Sequence, residues 1–133
     1  MRVLGIDYGT KRHGLAVSDP LGYTAQPAGL VQRQGGDGID EIASVIEEKE
    51  VERIVLGLPF NMDGSPGDHH DEVLEFGAKL EERFGLPLET IDERLTTVQA
   101  ERALQGLSRK KRKARVDQMA AQLILQAWLD SRQ

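Results

Sequence analysis

The order of extended and helical patterns is the strongest constraint on what this chain can fold into. Three strand-like segments follow one another with no helical pattern between them: RVLGIDY (residues 2–8), HGLAVSD (13–19) and AQPAGLVQR (25–33). Helix and strand then alternate. IDEIASVIEEKE (39–50) repeats Ile39, Ile42, Ala43 and Ile46 at helical spacing, and VERIVLGLP (51–59) is a strand closed by Gly57 and Pro59. A further helix carries Val73, Phe76, Leu80 and Phe84, and LPLETID (86–92) is a fifth strand. Consecutive strands predict an antiparallel meander, and the later helices predict right-handed crossovers to parallel strands. The expected fold class is α/β: a five-stranded mixed sheet, a three-strand antiparallel meander plus parallel strands, flanked by helices. At 133 residues one domain spanning 1–133 is expected.

Local signals refine the boundaries. The TKR after Gly9 is a tight reversal, and Pro27 marks its strand as an edge or a bulge. QGGDG (34–38) breaks the chain before the first helix. Ser65-Pro66 reads as a helix start, and Gly85 can end that helix. TTVQAERAL (96–104) is predicted as a short helix, with Thr96 and Gln99 spaced as a capping box. The last helix has the cleanest period, through Val116, Met119, Ala120, Leu123, Ile124, Ala127 and Trp128, with Asp117 in its first turn.

Asp7 stands where a buried strand should stay apolar. A carboxylate there is costly unless it is paired, hydrogen-bonded or bound to a cation, so Asp7 is read as functional. A structural ion pair with Lys11 or Arg12 is the alternative. Gly5 and Gly9 on either side leave the backbone open to close approach by a ligand. Partner acids exist at Asp92 or Glu93, where the fifth strand ends, and at Asp117. Each alone has a plain explanation, a solvated loop acid or a first-turn acid favoured by the helix dipole. As a set they are oxygen donors of the kind that hard cations such as magnesium and manganese select.

With no cysteine, neither disulfides nor thiolate zinc ligands are available. The start has no long apolar stretch before its first acid, and no apolar run approaches the ~20 residues of a membrane helix. A cytoplasmic protein with no membrane partner is expected. The net charge of −5 argues weakly against a nucleic-acid partner, but charge is unevenly placed. SRKKRKAR (108–115) holds six of the 17 basic residues and no acid, so a polyanion can be gripped locally, unless the run is a solvated loop. The cluster Asp68-His69-His70-Asp71 resembles metal ligands, yet adjacent helical histidines diverge, and an exposed first turn is expected.

DYGTKRHGLAVSD, GLPFNMDGS, DERLTT and VDQMAAQLILQAWL, in this order and at these separations, resemble the bacterial YqgF (RuvX) family. Its members are described as Holliday junction resolvase-like proteins and pre-16S rRNA nucleases. The resemblance covers nearly the whole chain. It implies a ribonuclease H-like fold and a divalent-metal-dependent endonuclease using Mg2+ or Mn2+, with paired cations in a two-metal site. Carried over, the catalytic and metal-binding residues are Asp7, Glu93 and Asp117; the DER motif selects Glu93 over Asp92. Lys11, Arg12, Asn61 and Arg94 are candidate nucleic-acid contacts beside the site, and Arg109, Lys110, Lys111 and Arg112 in the basic run. For Lys11, Arg12 and Arg94 a surface salt bridge is the alternative, and for Asn61 a turn cap.

This chain departs from the family at His13, where an aliphatic residue is usual in KRxG; the histidine would touch substrate or occupy the strand's open face. Precursor rRNA is favoured over branched DNA, with the ribosomal particle as a further partner and the chain a monomer or weak dimer. Tyr8, Tyr23 and Phe60 are the few aromatics available for stacking on bases. Two other readings stay open: an RNA-binding assembly factor without catalysis, and an ATP-binding protein, because DYGT also resembles the phosphate loop of the actin and sugar-kinase group.

Overall fold

The computed structural model describes residues 1–61, 63–94 and 109–132, with 109–118 described as helical backbone. The elements run β1 (Arg2–Asp7), β2 (Arg12–Ser18), β3 (Ala25–Gln32), α1 (Ile39–Lys49), β4 (Val51–Leu58), α2 (His70–Phe84), β5 (Leu88–Asp92) and α3 (Arg109–Ser131). The sheet order is β3-β2-β1-β4-β5. β1, β2 and β3 pair antiparallel, while β1, β4 and β5 are parallel, so the mixed sheet is as expected. None of the described helices is long and apolar enough to cross a membrane.

The sheet is covered on both sides, which is why β1 and β4 are apolar runs rather than alternating ones. Leu4, Ile6, Leu15, Ile54 and Leu56 face α1 and α2, meeting Ile42, Val73, Phe76 and Leu80. Val3, Ala16 and Val55 point to the other side, against Ala121, Ile124, Leu125 and Trp128 of α3. β3 lies at the sheet edge, and its register with β2 slips between Leu15 and Ala16, which pair with Gly29 and Pro27. Pro27 thus marks both an edge strand and an irregularity, as its missing N–H requires.

Two boundaries differ from the sequence reading. α2 begins at His70, and Ser65-Pro66 belongs to the loop before it. Pro66 bridges to Phe60, the Asn61 N–H donates to the Ser65 carbonyl at 2.8 Å, and Asp63 accepts from the Ser65 N–H (2.9 Å) and hydroxyl (2.6 Å). Those local bonds occupy the groups a helix start would use. α3 begins at Arg109, so the basic run forms its first turns instead of a loop, and Asp117 lies two turns inside the helix. Its buried stripe is Ala121, Ile124, Leu125, Trp128 and Leu129, with Leu123 and Ala127 only half-buried. Adjacent stripes of this helix are both apolar, and the sheet selects between them. Thr96–Leu104, read as a short helix, lies outside the described residues. Gly85 ends α2 in the left-handed conformation (φ 63°), and Asp71 and Glu72 occupy its first turn.

His13 neither faces solvent nor reaches a cleft. It is fully buried between Tyr8 and Phe76, with ring centroids 4.9 and 4.8 Å away. Its Nδ1 accepts the Gly9 N–H at 3.2 Å, so Nε2 carries the proton and donates it to the Asp37 carbonyl at 2.8 Å. The ring is neutral, and desolvation by burial lowers its pKa from the ordinary 6.5, the nearby Arg33 charge acting the same way. The unfolded chain then takes up a proton that the folded chain refuses. His13 therefore contributes no loss above 6.5, and stability falls as pH drops below that value, by up to about 1.4 kcal/mol per pH unit. In urea titrations at pH 7.5 and 5.5, His13→Leu should lose less stability on acidification than wild type. Equal losses would mean that the proton is taken up elsewhere.

Candidate functional site

In open α/β sheets, ligands collect outside the carboxyl ends of parallel strands. β1 ends there with Asp7, β4 with Leu58 and β5 with Asp92, and the Glu93 N–H donates to the Leu58 carbonyl at 3.2 Å. The register pairs Ile6 with Leu56 and Leu58 with Asp92, so Asp7 and Glu93 share one edge two strands apart. They also share one face. Val3 and Gly5 of β1 lie under α3, and Asp7 continues that alternation. Glu93 Oε2 sits 3.1 Å from where a Cβ on Gly57 would stand, beside Ile124 of α3.

α3 runs antiparallel to these strands. Ala121 and Leu125 lie over Gly5, while the Trp128 indole N–H donates to Glu89 near the start of β5, at 2.5 Å. Asp117 stands one turn ahead of Ala121, about 6 Å along the helix, and Asp7 stands two residues beyond Gly5, about 6.6 Å along the strand. The backbone therefore brings position 117 level with Asp7. The side chains of Asp117, Arg109, Lys110, Lys111 and Arg112 lie outside the described residues. Among the described residues no three histidine or acidic side chains group as metal ligands.

Geometry separates Asp92 from Glu93, which the residues alone left open. Asp92 is held by Arg94: Nε donates at 2.8 Å and Nη2 at 2.5 Å to Oδ2, and the Arg94 N–H donates to Oδ1 at 2.9 Å. Those bonds keep the Asp92 carboxyl below its usual range. Glu93 goes the other way, raised by burial and then by the neighbouring Asp92 charge. Arg94 also donates to the Asn61 carbonyl at 3.2 Å and lies 5.6 Å from the Phe60 ring centroid. The Asn61 amide donates to Ser65 Oγ (3.0 Å) and the Pro66 carbonyl (3.2 Å), the turn cap weighed from sequence. Asn61 and Arg94 hold the 60–67 loop against the end of β5.

The β1–β2 turn sets the shape of the site. A Cβ on Gly9 would lie 2.0 Å from the Arg12 carbonyl oxygen, so only glycine closes this turn. Arg33 secures it from β3's far end, donating to Tyr8 Oη (3.1 Å) and the Gly9 carbonyl (3.0 Å). The turn carries the exposed Lys11 and Arg12 into a cleft of about 380 Å³ that includes Asp7. A smaller hollow of about 80 Å³ lies on the Glu93 side, between Tyr8, Thr10 and His69.

Several sequence readings change role here. Gly5 admits a helix and not a ligand: a Cβ there would meet Leu125 Cβ at 2.7 Å and the Ala121 carbonyl at 3.1 Å. Tyr8 packs on His13 and Phe76 as part of the core, and Phe60 meets His70 edge-on at 5.2 Å; Tyr23 remains exposed. Gly57 and Arg33 were not singled out as site-forming. Gly57 had a signal, a glycine inside an apolar strand; Arg33 had none, because its partners are 24 and 25 residues away.

A family model described as "RuvX: Holliday junction resolvase" matches residues 1–131. Curated relatives from Streptococcus pneumoniae strains Hungary19A-6 and CGSP14 carry the name "Putative pre-16S rRNA nuclease". Each is 49% identical over 136 residues, covering 98% of this chain and 98% of its own. Among solved structures, Thermus thermophilus RuvC matches with a TM-score of 0.58 at 16% identity, over 99% of this chain and 96% of that one. T. thermophilus RuvC in complex with Holliday junction substrate matches with 0.56 at 17% identity, over 99% and 95%. The likeness to these structures is one of fold, which is ribonuclease H-like.

Proposed function

This chain belongs to the RuvX family, and from that premise we propose that it is a divalent-metal-dependent endonuclease acting on precursor 16S rRNA. The observation that carries the reading is the placement of Asp7 and Glu93 on one face of one sheet edge, with Lys11 and Arg12 lining the same cleft as Asp7. The near full-length identity to relatives named for pre-16S rRNA supports RNA over branched DNA. The family description as a Holliday junction resolvase keeps four-way DNA as the second reading.

The donors fit a hard cation, since all are carboxylate oxygens and none is a sulfur or imidazole. Asp7, Glu93 and Asp117 are the residues that would hold it. Bound there, Mg2+ or Mn2+ would supply an activated water and charge neutralisation on the departing oxygen. The chain's own residues do the rest. Lys11 and Arg12 hold the phosphate flanking the acids, a task for which the arginine fork is suited. Gly57 leaves room for the half-buried Glu93 carboxylate beside Ile124. Hydrolysis leaves a 5′ phosphate and a 3′ hydroxyl.

Arg109, Lys110, Lys111 and Arg112 extend α3 beyond the turn that meets the sheet at Ala121, and they add sequence-independent attraction for the phosphate backbone. The acidic remainder of the chain, 11 basic residues against 22 acidic, confines that attraction to the site edge. Base selection then falls to the ribosomal particle that presents the RNA to a cytoplasmic monomer or weak dimer.

The test is cleavage of a labelled precursor-rRNA 5′ segment beside a synthetic four-way DNA junction, with Mg2+, Mn2+ or chelator. RNA cleavage is expected with either metal and none with chelator, restored on adding metal back. Paired, symmetric cutting of the junction with intact RNA would replace the RNA reading with the resolvase. Cleavage that persists in chelator would remove the metal from the mechanism.

A further inference from the structure

We propose that the cleft beside Asp7 is a nucleoside subsite whose apolar wall is Leu30 on the edge strand β3; this rests on the nuclease reading above and deepens it. The sheet register places Asp7, Gly14 and Leu30 in one row, each on the next strand and all on the same face. Two strand spacings separate the carboxylate position from the leucine, about 10 Å. Gly14 brings no side chain between them. Leu30 is 41% exposed and lines the same cleft of about 380 Å³ as Asp7, Thr10, Lys11 and Arg12.

A single exposed leucine needs no explanation. This one stands in a row with a functional acid, at the mouth of a cleft otherwise polar and charged. Ligand sites of this kind combine a few polar groups that fix orientation with an apolar wall that receives the body of the ligand. The chemistry matches one nucleotide. Lys11 and Arg12 take the phosphate, and Leu30 takes the sugar and one face of the base. Aliphatic contact of this sort discriminates little between bases, consistent with specificity residing elsewhere.

Leu30 therefore sets substrate affinity and leaves the chemical step alone. In steady-state cleavage, Leu30→Ala should raise KM about tenfold, the scale of one lost apolar contact, with kcat within about twofold of wild type. Leu30→Glu, which also sets a negative charge beside the phosphate contacts, should raise KM further. The site is exposed, so both variants should keep the wild-type melting curve.

A second measurement does not depend on turnover. Leucine methyl signals of the full chain are followed with Mg2+ while uridine 5′-monophosphate or inorganic phosphate is added. The Leu30 methyls should shift with the nucleotide and not with phosphate. Silence at Leu30, or equal shifts with both, would overturn the subsite even if wild type cuts RNA. Leu30 shifts in a protein that cuts neither RNA nor DNA would keep the subsite and sink the nuclease reading instead.

Discussion

Asp7→Asn is expected to reduce cleavage by at least ~10³-fold, about 4 kcal/mol of transition-state stabilisation, the scale of metal-ion charge stabilisation. The side-chain shape is kept and one negative charge is removed. Asp7 closes β1 at the edge that Glu93 also occupies, so the loss falls where the acids gather. The fold should survive the change, because Asp7 ends β1 and belongs to neither apolar cluster, so the variant should keep a cooperative melting transition when metal is absent. Cleavage rates in Mg2+ and melting curves in chelator measure the two halves separately. A variant that still cuts at the wild-type rate would take Asp7 out of the site. One that loses its melting transition would make the aspartate structural.

Gly5→Ala should wedge β1 and α3 apart where they pack most closely. Its Cβ would stand 2.7 Å from Leu125 Cβ and 3.1 Å from the Ala121 carbonyl, and neither is the free end of a flexible side chain. Strand and helix must move apart. Overpacking of this kind costs about 1–3 kcal/mol, or roughly 4–12 °C in melting temperature for a chain of this size. Activity should fall further than stability alone explains, because Ala121 is one turn from Asp117 and the same contact sets the level of α3 against Asp7. Gly36→Ala is the control: its nearest neighbour would be the Arg33 carbonyl at 3.5 Å, ordinary van der Waals contact, and no change is expected. Wild-type melting in Gly5→Ala would show that α3 seats more loosely than the contact implies.

Asp7 stood out in the sequence because a charge inside RVLGIDY breaks a pattern that is otherwise apolar, and such breaks are rare without a use. Glu93 could not be told from Asp92 by pattern, since both follow the strand and carry the same charge. The distinction comes from Arg94, whose guanidinium folds back onto Asp92 and leaves Glu93 in the half-buried position beside Gly57. His13 was misread for a similar reason. Its strand neighbours do not reveal that Tyr8, Phe76 and the Asp37 carbonyl close around it, because Phe76 and Asp37 lie far along the chain. Ser65-Pro66 is a sound helix start in isolation, and the Phe60–Pro66 bridge overrides it.

The sequence by itself determined the five strands and, apart from their starts, the three described helices, and that the first three strands form a meander followed by parallel strands. Those properties rest on periodicity and connection length, which act within about a dozen residues. The seating of α3 was decided only by the tertiary structure. Residues 116–129 present two adjacent apolar stripes, and the one that packs is the one whose Ala121, Ile124 and Leu125 meet the gaps at Gly5 and Gly57. That choice, with the β1-β4-β5 register, brings Asp7 and Glu93 to a common edge and sets position 117 level with them. Register and helix rotation depend on contacts between residues up to 120 positions apart, such as Gly5 with Leu125, and no local pattern carries them.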